Sequence, residues 1–490
     1  MPLLTEGTIG GYLQEITGVS GEPKVGKLNS PEAPRPGPFQ KGIKSMYGQK
    51  QPIQAKRMGW LACLVLLLVT ACAPAAQAQT RLIVRDSLGL PGINLTCLLT
   101  GCKVIGGLGD PNGQLFLVTF PAILNPVTSL LKLNLQTGIL SVEVDQAVNP
   151  SQPNSAGTPS YLTDSAPVSY YGATVWHGYL VQPGNQLIRT AQAQSAFNAT
   201  GAGVVVAVID TGVDVNHPVL KAVLYKGYDF TRNTAGGNED VDVSGNSSSN
   251  STSASPATLD QRTVAVLDQR SVAVLDGGGN SYSDFGHGTM TAGLVHLVAP
   301  QAKIMPLKVF TASGSAYESD ILRAIYYAVG NGAQVMSMSW NLSSYSNELA
   351  KAIQYSNGKG VVSVASAGND GQQTAVYPGA LPGVIDVAST SLNDTQSSFT
   401  NYGAPPVWMA APGEGIVTTY PWGTYAAGWG TSFSTPLVAG SAALMMGNNS
   451  NCPNWSVPLG LAAADYIGDL DMGFGRLDTY QAMQACNLLN

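Results

Sequence analysis

The sequence predicts an α/β fold, a doubly wound and mostly parallel sheet flanked by helices, preceded by a small α+β unit. Three observations carry this. Val204 to Ile209 form an unbroken apolar run ending at Asp210, as expected of a strand buried on both faces of a parallel sheet. Beyond it, apolar runs suited to strands alternate with segments whose apolar residues recur at helical spacing. Ahead of it, residues 114–120 and 138–144 read as two strands flanking an apolar stretch, which sets residues 80–147 apart as a smaller unit.

The chain opens on residues 1–57, rich in Pro and Gly, with Met46 and Met58 just upstream of the one long apolar run. Export signals lie at the start of a chain, so this stretch is expected to be a non-native or untranslated extension, with translation starting at Met46 or Met58. Residues 58–78 have the three parts of an export signal: Lys56 and Arg57 before it, the apolar run Trp60 to Val69, then small residues. The run is short for a membrane-spanning helix. Val69-Thr70-Ala71-Cys72 resembles the bacterial lipoprotein signal, which implies acylation of Cys72 and a membrane partner reached through lipid. Cleavage after Ala76-Gln77-Ala78 is the competing outcome and releases the chain. Either way the address is exported, as a cell-envelope lipoprotein or a secreted protein.

Residues 148–184, beginning with a run rich in Pro, Ser, Asn and Gly, read as a linker and the start of the mature region. Residues 185–490 form the large domain. Strands are expected at 204–209, 303–310, 335–339, 361–367 and 384–388. Ile321, Ala324, Ile325, Ala328 and Val329 mark one intervening helix, and Leu349, Ala352 and Ile353 another. Residues 233–283 interrupt this order with Gly, Asn, Ser and Asp and contain a near copy of eight residues, 259–266 repeated as 267–274. They read as a tolerated surface insertion, or alternatively as a calcium- or substrate-contacting loop.

Composition excludes one class of partner. Charged residues are 11% of the chain and its net charge is −6, so no basic surface for nucleic acid is expected. Cysteine use agrees with export: apart from Cys63 and Cys72, the pairs Cys97/Cys102 and Cys452/Cys486 allow two local disulfides, free buried thiols being the alternative. No cofactor is required by any motif, and structural calcium is possible without an assignable site.

The chemistry-bearing residues fall in three segments. A serine hydroxyl needs a base to act as a nucleophile, and the base needs a partner that fixes its tautomer. Of four histidines, His287 alone lies between glycines, in Asp284-Phe285-Gly286-His287-Gly288-Thr289. His217 reads as a structural turn residue, His296 as packing beneath the opening, and His177 as structural or part of the linker. Asp210 ends a buried strand, where a carboxylate needs a partner; Asp214, four residues on, is expected in a solvated loop. Gly428-Trp429-Gly430-Thr431-Ser432 is a glycine turn running into an apolar helix, which puts Ser432 at a helix amino terminus that favours a developing oxyanion.

Together these segments resemble the subtilisin-like serine peptidases over roughly residues 185–490. Asp-Thr-Gly at the strand end, Gly-His-Gly-Thr, and Gly-Thr-Ser with a proline four residues after the serine occur in that family's order, Asp then His then Ser. The resemblance implies a subtilisin-like fold and a serine endopeptidase acting on peptide or protein substrates, with Asp210, His287 and Ser432 catalytic. Ser363 to Gly371 looks like the family's oxyanion segment, which implies Asn369 as a side-chain donor and Ser366, Ala367 and Gly368 as substrate-binding. It further implies an extended substrate against Ser313-Gly314-Ser315 and Ser339-Trp340-Asn341, and gives residues 80–147 the part of a propeptide, so that the chain's own propeptide is a partner. Three departures bear on specificity: Trp340-Asn341 where relatives carry glycine, Phe433 for a common methionine, and Leu437 for a frequent histidine.

The alternative is a catalytically inactive scaffold or binding lipoprotein on the same fold. An α/β-hydrolase esterase would need a Gly-x-Ser-x-Gly elbow and the order Ser, Asp, His, and neither is present.

Overall fold

The computed structural model describes residues 79–121, 124, 126–148, 159–243, 271–274, 284–403, 405–447 and 452–488. The extension 1–57, the signal at 58–78 with Cys72, and most of the 233–283 insertion lie outside the described residues.

The amino-terminal unit runs β1 (Thr80–Asp86), α1 (Gly89–Thr100), β2 (Lys103–Gly107), β3 (Leu115–Phe120), α2 (Pro126–Asn134), β4 (Ile139–Val144). Its antiparallel sheet has the order β2-β3-β1-β4, so β1 is central. The expected strands at 114–120 and 138–144 are β3 and β4; β1 and both helices were not foreseen. Alternation in β1 and β3 divides the sheet's faces. Leu82, Val84, Phe116 and Val118 pack with Ile93, Cys97 and Leu133 of the helices, whereas Ile83, Leu115 and Leu117 join the core of the large domain. Disulfide Cys97–Cys102 staples the end of α1.

Next comes β5 (Ala147–Val148). Within the stretch expected to hold the linker and the start of the mature region, the chain is integral from residue 159 onward: β6 (Pro167–Tyr170), β7 (Ala173–Trp176), α3 (His177–Val181), α4 (Pro183–Leu187) and α5 (Thr190–Phe197) pack on the large domain. Tyr170 and Tyr179 donate their hydroxyls to the carbonyls of Leu297 and Gly293, both at 2.6 Å, and Tyr179 is fully buried. Aromatic groups inside a Pro- and Ser-rich run signal anchoring to a core, which composition alone hides.

The large domain contains β8 (Val205–Asp210), β9 (Tyr228–Asp229), β10 (Thr234–Ala235), β11 (Ser271–Val274), α6 (His287–Val298), β12 (Lys303–Lys308), β13 (Ala316–Tyr317), α7 (Glu318–Gly330), β14 (Val335–Met338), α8 (Asn347–Gly358), β15 (Val362–Ser366), β16 (Val384–Thr390), β17 (Met409–Pro412), β18 (Ile416–Tyr420), β19 (Thr424–Trp429), α9 (Thr431–Met446), α10 (Val457–Leu461) and α11 (Thr479–Leu488). The eight-stranded sheet has the order β10-β9-β12-β8-β14-β15-β16-β17, parallel except at the β10 edge. The chain passes from β8 to β12 on one side and to β14 on the other, so Asp210 ends a strand where the winding reverses, the usual seat of a site in such sheets. Helices α6 and α9 cover one face; α7 and α8 cover the other. Cys452–Cys486 ties the carboxyl-terminal segment together. No helix among the described residues is long and apolar enough to cross a membrane.

Candidate active site

Asp210 and His287 meet because two glycines let β8 and α6 approach. Gly286, which caps α6, has φ of +93°, and a side chain there would stand 2.3 Å from the Tyr420 ring. A Cβ on Gly288 would lie 1.8 Å from the Gly212 carbonyl, so the helix start can abut the strand-end turn only with glycine at 288. His287 Nδ1 thereby reaches Asp210 Oδ1 at 2.8 Å. Asp210 Oδ1 also accepts the Thr211 backbone N–H at 2.7 Å, and its Oδ2 accepts the Thr291 hydroxyl at 3.1 Å. With Nδ1–H held by the carboxylate, Nε2 carries the basic lone pair. Among the described residues that nitrogen has no hydrogen-bond partner.

Ser432 is the second residue of α9, which Gly430 caps. Pro436 inside the helix has no N–H to give the Ser432 carbonyl. That carbonyl instead accepts the Ser339 hydroxyl at 3.0 Å, while Ser432 Oγ donates to the Ser339 carbonyl at 3.3 Å. Asn369 Oδ1 accepts both the backbone N–H and the hydroxyl of Thr431, at 3.0 and 3.1 Å. The amide is thus turned with its oxygen toward Thr431, which makes Nδ2 the donating end beside the nucleophile's helix start.

The other expected residues are distributed as follows. Gly314 occupies the turn Thr311–Ser315 at φ +74°. Immediately after it, β13 pairs antiparallel with β5, Ala316 opposite Val148 and Tyr317 opposite Ala147. The strand paired at this edge, one residue beyond Ser313-Gly314-Ser315, comes from the chain itself. Ser339, Trp340 and Asn341 follow β14, with Trp340 fully buried and 6.3 Å from the Phe310 ring. Ser366, Ala367 and Gly368 end β15, Gly368 at φ +95°.

Two expectations need correction. Asp214 is 2% exposed rather than solvated: Oδ2 accepts the backbone N–H of Trp422 at 2.8 Å, Oδ1 that of Asn216 at 2.8 Å. His287 and Ser432, expected beside an opening, are also closed off, at 1% and 0% exposed. The remaining histidines are placed as expected. His217 is buried, with Nε2 3.3 Å from the Thr424 carbonyl, and burial lowers its pKa. His296, beneath α6 against Tyr170 and Tyr179, is pushed down to about 4 by burial. His177 pairs with Asp164 at 2.6 Å.

Glu239 was missed. It lies in what read as a surface insertion, yet it is 1% exposed. Its Oε2 accepts the Thr211 hydroxyl and the Gly286 N–H, both at 3.0 Å, and its Oε1 takes the Thr289 hydroxyl. One carboxyl group thus joins the turn after Asp210 to the start of the helix bearing His287, and burial pushes it up to about 8. Lys308, fully buried at the end of β12, pairs with Asp242 at 2.7 Å and donates to the Thr211 carbonyl at 2.7 Å. The early part of the insertion therefore braces the site, and an acid in a Gly- and Asn-rich run was its only signal. In the later part, β11 pairs with β19, the strand leading into Gly430. Among the described residues no group of three or more His, Cys, Asp or Glu side chains is arranged to hold a metal ion.

Comparison with known proteins agrees with this geometry. Residues 201–458 match the subtilase family, Peptidase S8. Thermitase of Thermoactinomyces vulgaris is 33% identical over 314 residues, 62% of this chain and 96% of that one. Subtilisin Savinase of Lederbergia lenta is 33% identical over 280 residues, 55% of this chain and 85% of that one. Among solved structures, fervidolysin from Fervidobacterium pennivorans, described as a keratinolytic enzyme related to subtilisin, superposes with a TM-score of 0.62 at 22% identity. That match covers 84% of this chain and 62% of fervidolysin, and at this identity the likeness speaks to fold.

Proposed function

The chain belongs to the subtilase family and is a serine-type endopeptidase, and from that premise we propose that it cleaves peptide bonds through an acyl-enzyme on Ser432. The observation that carries this assignment is the Asp210–His287 hydrogen bond of 2.8 Å beside a serine at a helix amino terminus. Neutral His287 takes the Ser432 proton through Nε2 as Oγ attacks the scissile carbonyl. Asp210 holds the ring and stabilises the imidazolium. The oxyanion receives the Asn369 amide and the Ser432 backbone N–H. His287 then protonates the leaving amine, and water, activated by the same base, releases the acyl group. For this the Ser432 hydroxyl must turn from the Ser339 carbonyl to Nε2, a tightening common on substrate binding.

An extended substrate adds at the edge around residues 313–317 and 339–341, a reading supported by β5 lying on β13. Residues 80–147 act as a propeptide that is cut away in the stretch following it. In support, Arg85 pairs with Glu348 of α8, and Asp145 accepts the backbone N–H of Ser319 at the start of α7 at 3.0 Å. The chain is exported, and acylation of Cys72 tethers it through the propeptide side, so cleavage there releases the mature enzyme.

The decisive comparison sets the parent protein against Ser432→Ala on a denatured protein substrate. Loss of hydrolysis in the variant is expected, together with retention of residues 80–147. Equal hydrolysis by both would transfer the assignment to an inactive scaffold or another site.

A further inference from the structure

The outermost layer of the amino-terminal unit has no use in the reaction. One face of its sheet is covered by the large domain and the other by α1 and α2, so the far sides of these neighbouring helices form its outer surface. Leu95, Leu98 and Leu99 of α1, with Val127, Leu131 and Leu135 of and just beyond α2, are between 57% and 83% exposed. Their spacing makes one stripe on each helix. Ile93 and Cys97 fill the inner side, so α1 carries apolar side chains on both its inner and its outer face, with no charged residue, a pattern that suits a helix covered on both sides.

Charge is distributed just as unevenly. Residues 87–102 and 126–138, which hold the two helices, contain Lys132 and no acid, in a chain of net charge −6. The unit's acids are turned inward or toward the large domain: Asp86, Asp110 and Asp145 are buried, and Glu143 accepts from Ser346 and Asn347 at the start of α8. We propose that this leucine-rich, acid-free helix layer docks on the surface of an anionic lipid membrane, the leucines entering the headgroup region and Lys132 meeting lipid phosphates.

The path of the chain favours lipid over a second copy. Thr80 starts β1 next to the entry of α2, its hydroxyl donating to the Leu124 carbonyl at 3.0 Å. Cys72 lies eight residues upstream, a reach of at most about 28 Å. In this respect the proposal rests on the lipid-anchor reading, since an acylated Cys72 holds the layer near the bilayer, and a lipid tether gains most from a second contact. Self-association through the same face would leave Lys132 with no acid to pair it.

The test uses the chain from residue 73 onward carrying Ser432→Ala, which keeps every described residue, retains the amino-terminal unit and has no lipid or signal. Binding is measured by flotation with vesicles of phosphatidylcholine and phosphatidylglycerol, and with phosphatidylcholine alone. Leu98→Glu combined with Leu135→Glu, both on the exposed side, should weaken binding at least tenfold while mass analysis still finds Cys97–Cys102 closed. Lys132→Glu should weaken binding to the anionic vesicles only. Equal flotation of the leucine variant and its parent would overturn the proposal, as would a dimer on sedimentation that the leucine variant dissolves without any vesicle binding. The anchor reading fails separately, by an unacylated amino terminus in the exported full-length protein, and leaves the flotation result intact.

Discussion

Ser339 and Ser432 are bonded in both directions: the Ser339 hydroxyl donates to the Ser432 carbonyl at 3.0 Å, and the Ser432 hydroxyl to the Ser339 carbonyl at 3.3 Å. The first bond exists because residue 436 is proline. Removing the Ser339 hydroxyl leaves a buried carbonyl without its donor, so Ser339→Ala should destabilise the protein by about 1–3 kcal/mol. In a Pro436→Ala background the helix can supply an N–H to that carbonyl, and the same substitution should then cost less. Denaturant midpoints of the four proteins in this cycle check the coupling; strictly additive losses would show that the proline and the Ser339 hydroxyl are unrelated.

Asp210→Asn keeps the volume of the side chain but turns a fixed acceptor into a group that also donates. The ring of His287 is then no longer held with Nδ1–H inward, and kcat should fall on the order of 10⁴-fold with the fold unchanged. Kinetics with a peptide substrate at saturating concentration read this directly, and a loss of less than about tenfold would remove Asp210 from its role.

Asn369→Ala deletes the side-chain donor that Thr431 orients. The expected loss is about 3–4 kcal/mol of transition-state stabilisation, appearing in kcat with KM little changed. A rise in KM alone would make Asn369 a substrate contact and leave the oxyanion to backbone donors.

The positions of Asp210, His287, Ser432 and Asn369 were legible because each is set by its neighbours in sequence: a strand end, a glycine-flanked helix start, a glycine-capped helix, a strand-to-loop turn. What was not legible depends on partners far away in the chain. Asp214 was expected in water from its distance past the strand, but the N–H that buries it comes from Trp422, 208 residues on. Glu239 looked like part of a dispensable loop because its three donors lie at residues 211, 286 and 289. Composition does not show where, within residues 148–184, the linker gives way to the mature region, because the tyrosines that moor the segment from residue 159 act through the distant carbonyls of Gly293 and Leu297. Among the strands, β8 announced itself by an unbroken apolar run and β12, β14, β15 and β16 by mostly apolar ones, whereas in β1 Arg81 and Arg85 leave only three apolar residues in a row.

Glu318, the first residue of α7, gives the junction between the amino-terminal unit and the large domain a pH dependence. It is fully buried, and among the described residues neither carboxyl oxygen has a hydrogen-bond partner. The nearby Ser346 hydroxyl is committed to Glu143 at 2.8 Å. Glu143 and Asp145 face it from the amino-terminal unit and Glu348 from α8, while Arg81 and Arg85, the cations of β1, are already paired with Asp145 and Glu348. Burial, reinforced by these like charges, raises its pKa from 4.5 to about 7. Because the folded protein holds this proton more tightly than the unfolded chain, the contribution to stability is fully present below about 4.5. It is lost as pH rises toward 7, on the order of 3 kcal/mol in all. Glu318→Gln keeps the shape and cannot ionise, so in the Ser432→Ala precursor it should flatten the fall in denaturant midpoint between pH 4.5 and pH 7, with the two proteins closest at the acid end. A fall of the same size in both would mean that Glu318 ionises without strain, its charge met by partners that the junction does not now offer.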